Sequence, residues 1–198
     1  MAITPWHKND QRKGTLTYTV RAMGGQWTAV LDKAIAEFNR QMSQHGLKLT
    51  LSKVEKGMGP HIVLETKPGH GLHGSAPSQT KRINGVHYLD VVTIRVPATP
   101  RVNPNDPKSR EVGPGVRLCL LVHELIHAVG LSNHEHSPDD VFAGKSIVIP
   151  KGQYLKSGTQ AGEDMVQPPD GSAPMPPIRI GAKTLTDLKK AWSGDATK

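Results

Sequence analysis

The segment from Val116 to Val129 is apolar on nearly every face of the helix that its pattern implies, and the exceptions in its second half are His123, Glu124 and His127. Such a helix belongs inside a protein, where three polar side chains cost several kcal/mol unless each finds a partner. Any fold of this chain has to solve that local problem. At 3.6 residues per turn, positions four apart lie about 40° apart around the helix axis. His123 and His127 therefore present two imidazole nitrogens to one point and can share a metal ion. Glu124 can reach water at such an ion without ligating it. Gly130 stands where the helix should stop, because glycine accepts the left-handed backbone that turns a chain sharply. The turn can bring His134 back to the same ion, in preference to His136, which lies further out. Three protein nitrogens leave a fourth position for water, the arrangement of a catalytic zinc site and not of a closed structural one. The bland alternative is a buried histidine pair satisfied by backbone or carboxylate groups.

Around this helix the patterns predict an α+β domain. Thr15–Val20 alternates Thr with apolar or aromatic residues, as a strand with one buried face does. Trp27, Val30, Leu31, Ala34, Ile35, Phe38 and Met42 recur every three or four positions ahead of Gly46, which predicts one long amphipathic helix. Leu47–Val54 alternates again, Ile62–Thr66 is a short apolar run, and Val86–Val96 is rich in β-branched residues. These give about four strands, and the order strand, helix, strand implies a right-handed crossover in a partly parallel sheet. Met1–Gly14 reads as a polar lead, Pro68–Ser78 as a glycine-rich loop and Pro97–Pro114 as irregular chain. Thr184–Trp192 reads as a last short helix with Leu185, Leu188 and Trp192 on one side.

Composition narrows the function classes. A length of 198 residues fits a single domain, and the single cysteine, Cys119, rules out an internal disulfide. Cys119 precedes His123 by four and shares its face, so it is either a further ligand or, as free cysteines more often are, a small buried hydrophobe. Aromatic residues make up only 4% of the chain, which argues against a stacking platform for single-stranded nucleic acid. The net charge of +8 is spread over scattered Lys and Arg without a reading helix, so no specific nucleic-acid partner is expected. That charge serves solubility and is compatible with an acidic partner or substrate. Met1–Gly14 lacks the apolar core of a signal peptide and no stretch is apolar enough to span a bilayer. Cytoplasmic synthesis is expected, with non-classical export or a phage-encoded origin both compatible, and the chain is expected to act as a monomer.

The stretch HELIHAVG, followed by a further histidine, resembles the metzincin zinc peptidases, whose pattern is HExxHxxGxxH with a later methionine turn. The following HEH is similar to the astacin branch. Upstream, PHIVLET is similar to the metzincin strand before the glycine-rich loop, GLHGSAP to that loop, and VHYLD to the edge strand that aligns substrate. The resemblance implies a twisted mixed four- to five-stranded sheet with two long helices, an active-site helix and a small irregular C-terminal subdomain ending in a helix. It divides residues 1–198, as one catalytic domain, into an upper part at 1–130 and a lower part at 131–198. The implied activity is a zinc-dependent endopeptidase acting on protein or peptide substrates, with one catalytic zinc on His123, His127 and His134 and with Glu124 as general base to zinc-activated water.

Two features depart from the family pattern. Asn133 stands where the third ligand belongs, and one extra residue in the turn accounts for His134 instead. Met165 is the methionine-turn residue that the resemblance selects, Met175 lying in a proline run; Phe142 stands at the matrixin-like spacing and Gln167 where astacins carry a tyrosine. Glu135 is read as a solvated loop carboxylate before the alternative, a buried partner of an N-terminal ammonium. His70, His73, His87 and Asp90 form a second cluster, for a structural metal as in matrixins, for the substrate cleft, or simply exposed. Two other functions use the same residues: a zinc amidase of cell-wall peptides, and a non-catalytic partner-binding domain with structural zinc.

Overall fold

In the computed structural model, residues 4–71, 73–101, 105–106, 108–109, 111–131 and 178–193 are described. They form α1 (Lys8–Lys13), β1 (Thr15–Ala22), α2 (Gly25–Gln44), β2 (Thr50–Lys53), β3 (Ile62–Lys67), β4 (Ser78–Ile83), β5 (Val86–Pro97), α3 (Pro114–Ala128) and α4 (Ala182–Trp192). The fold is α+β. The five-stranded sheet runs in the order β2-β1-β3-β5-β4. β1 is parallel to both β2 and β3, β3 is parallel to β5, and β4 alone pairs antiparallel, with β5. Because β1 and β2 are parallel they need a crossover, which α2 supplies, burying Trp27, Val30, Leu31, Ala34, Ile35, Phe38 and Met42. No helix among the described residues is long and apolar enough to cross a membrane.

Three segments depart from the sequence reading. The polar lead contains α1, whose backbone is closed off by Gly14 in the left-handed conformation. The predicted strand at Leu47–Val54 narrows to Thr50–Lys53, Leu47 and Leu49 being buried but outside the ladder. VHYLD is not the edge strand: Val86–Asp90 is the inner partner of a hairpin, and the edge is β4, directly preceding it. β4 has an all-polar sequence up to Ile83 and five of its six residues are exposed, so no apolar alternation marks it. Lys81 and Arg82 suit an outermost strand, since charge deters pairing with another chain. The hairpin signal is the turn instead: Asn84 and Gly85 both have positive φ, at 48° and 83°, which is what a two-residue Asn-Gly turn requires.

The apolar helix α3 lies inside, as its composition demands. Val116, Cys119, Leu121, Val122, Leu125, Ile126 and Ala128 are all buried, and most of them share one core with α2, the inner sheet face and α4. Its C-terminal carbonyls have no partner within the helix and are met by two tryptophans from opposite ends of the chain. The Trp6 indole N–H donates to Ala128 O at 3.0 Å, and that of Trp192 to Val129 O at 3.0 Å. Gln11 joins the two clamps, donating to Trp6 O at 2.9 Å and to Ala191 O at 3.0 Å. The end of α3 that carries His127 is thus fixed by α1, α4 and the N-terminal segment. Replacing Trp6 by Phe removes the donor and some ring volume at a 1% exposed site. It should cost about 2 kcal/mol, read as a lower urea midpoint with an unchanged slope.

Candidate metal centre

One turn of α3 separates His123 from His127, and the two rings meet edge to face with centroids 4.6 Å apart. Their Nε2 atoms lie 3.0 Å from each other. After α3, Gly130 at φ 118° reverses the chain and donates to His127 O at 3.0 Å. That reversal sets the carbonyl of Leu131 2.9 Å from His127 Nδ1. A carbonyl only accepts, so Nδ1 carries the proton, and in its neutral form the ring keeps its lone pair on Nε2, facing His123. This is the outer partner that metal-ligating histidines usually have. Two imidazole nitrogens at this separation can both reach an ion about 2.0–2.1 Å from each, and imidazole suits zinc. The residues present fit the expected metal as two of its donors.

Glu124 follows His123 on the helix, occupies a covered position and is only 3% exposed. Burial pushes its carboxyl up to about 7, against the charge of Lys67 and the backbone N–H of Gly74, which both favour the ionised form. Gly74 belongs to the glycine-rich loop between β3 and β4, so the loop comes down directly on the carboxylate. A cavity of about 560 Å³ opens beside His127, with Ser75, Ala76, Leu89, Val92 and Leu131 among its walls. A buried carboxylate, two aimed nitrogens and an adjoining hollow can together bind a cation and move a proton at one edge of a bound molecule.

The remaining predicted residues divide into two groups. His134, with Asn133, Glu135, His136, Phe142, Met165, Gln167 and Met175, lies outside the described residues. His70, His73, His87 and Asp90 are described, and the structure does not gather them. His70 Nδ1 bonds Thr99 Oγ1 at 2.8 Å, His73 and His87 are exposed, and Asp90 forms an ion pair with Lys81 at 2.8 Å. Among the described residues no three His, Cys, Asp or Glu side chains converge on a point that could hold a metal ion. Leu131, Gly74 and Lys67 were not anticipated as contributors from the sequence. Leu131 acts through its backbone, which no side-chain motif records, and Lys67 enters by the register of β3 beside β5.

Cys119 sits in the core, and burial pushes its thiol up to about 12, with the charge of Glu37 adding to the effect. It behaves as a small hydrophobe. Ellman's reagent should find no reactive thiol in the native protein, before or after chelator treatment, and one thiol per chain in urea. A thiol uncovered by chelation alone would make Cys119 a ligand. No family model matches this chain, and no curated protein matches it either.

Proposed function

We propose that the chain is a zinc-dependent metalloendopeptidase of metzincin type, with residues 1–198 forming one catalytic domain. The observation that carries this reading is the pair of Nε2 atoms 3.0 Å apart, one with its tautomer set by Leu131 O, beside a buried carboxylate. His123 and His127 would hold the ion together with His134, and Met165 would form an apolar floor below it. Zinc bound there supplies a Lewis acid for a peptide carbonyl and lowers the pKa of water.

Glu124 has the part that a general base needs. It takes a proton from the attacking water at a carboxylate oxygen and passes it to the departing amine. Its enclosure suits this exchange, because a carboxyl raised to about 7 lies near neutral pH and can both accept and release a proton. The cavity beside His127 gives a substrate side chain a place to lie, while the flanking loop shields the proton exchange from bulk water.

Purified protein is expected to contain one zinc per chain and to cleave casein. Glu124→Ala should keep the zinc and lose at least about a hundredfold in kcat. Full peptidase activity in that variant, or a normally folded, metal-free preparation that still hydrolyses casein, would end this reading. His134→Ala should lose zinc and Asn133→Ala should keep it; the reverse would reassign the third donor. Peptidoglycan digested alongside casein separates a protease from a cell-wall amidase, and cleavage of peptidoglycan alone would move the substrate class.

A further inference from the structure

Gly69, Gly71 and Gly74 in the loop between β3 and β4 are glycines for different reasons. Gly69 has φ 137°, a backbone that side chains rarely adopt, and open space around it. Gly71 lacks that conformation, and a Cβ there would meet only the backbone of His73 at 3.8 and 4.0 Å, which is ordinary contact. Gly74 also has backbone dihedrals outside the left-handed region. A Cβ on it would lie 2.6 Å from both Cγ and Oε1 of Glu124 and 2.7 Å from Cδ. Only at position 74 does a contact, and not a dihedral, demand glycine, and the contact is with one side chain on α3.

One partner is enclosed and the other is tied to the sheet. Glu124 is 3% exposed inside the protein. The loop is pinned one residue later, where Ser75 N donates to Arg95 O at 2.9 Å and Arg95 N donates to Ser75 O at 2.8 Å. These two bonds extend the pairing of β4 with β5 to the residue next to Gly74, so its Cα is held at a fixed distance from α3. We infer that Gly74 is a positioning residue for Glu124: its bare backbone packs against the carboxylate and fixes where that group stands relative to His123 and His127. The inference rests on the reading of Glu124 as general base. A methyl at 74 has to displace the carboxylate, since the backbone on the other side of the contact is tied to the sheet.

The test is a thermal cycle on the 198-residue chain. Gly74→Ala should lower the Tm by about 5 °C, the scale expected for one overpacked methyl in a domain of this size, whereas Gly71→Ala should stay within about 1 °C. In a Glu124→Ala background the cost of Gly74→Ala should nearly vanish, and in Glu124→Gln, which keeps the shape, it should persist. An equal cost in the Ala and Gln backgrounds, or no cost in the wild type, overturns the contact. Gly74→Ala should also keep the zinc content and lower kcat at least tenfold with KM within about twofold; a wild-type kcat overturns the positioning role. If the wild type has no peptidase activity, the proposed function fails, while the thermal cycle still decides the contact.

Discussion

Placing two imidazoles and a buried carboxylate on an apolar helix is the constraint from which the rest of this structure follows. α3 cannot turn its polar side to water, because nearly every other position on it is part of the core. The protein deals with the three groups locally. His127 gains a carbonyl from the reversal at Gly130, the two histidines face one another, and Glu124 is covered by Gly74 and influenced by Lys67. Two of these solutions are backbone groups, Leu131 O at His127 and Gly74 at Glu124. The cost of burial is thereby offset while the two Nε2 atoms stay 3.0 Å apart.

The surrounding architecture keeps that region in place. Parallel strands β1, β3 and β5 carry the core under α2 and α3, and the antiparallel β4 adds the outer rim from which the glycine-rich loop approaches. At the far end of α3, two indoles from Trp6 and Trp192 satisfy Ala128 and Val129, and Gln11 ties them to one another. The last turn of α3 is the one carrying His127, so the clamp and the geometry of the histidine pair are coupled through a few residues. Helix ends fray where their carbonyls lack partners. Here the end nearest the chemistry is the one most heavily tied.

Much of this was legible in the residues themselves. The 3.6-residue period of α2 and the polar triplet in α3 both place their side chains where the structure has them, and Gly130 does turn the chain by a positive φ. Contacts made by backbone were not legible: Leu131 O on His127 and Gly74 on Glu124 leave no side-chain signature. β4 escaped because a solvent-facing edge strand has no apolar alternation, although Asn84-Gly85 marks its turn. His70, His73, His87 and Asp90 lie close in sequence, but where loop and strand side chains point is set by contacts that the sequence does not show. Asp90 is already taken by Lys81, and His70 by Thr99.

The most direct test of the central proposal, that His123 and His127 can share one cation through their Nε2 atoms, is the nitrogen-15 NMR of the histidine rings during zinc titration. With one equivalent added, the Nε2 resonances of His123 and His127 should move together to metal-bound positions, while His127 keeps the proton on Nδ1 that it donates to Leu131 O. Two rings that remain unperturbed at saturating zinc, or a His127 that binds through Nδ1, would contradict the account.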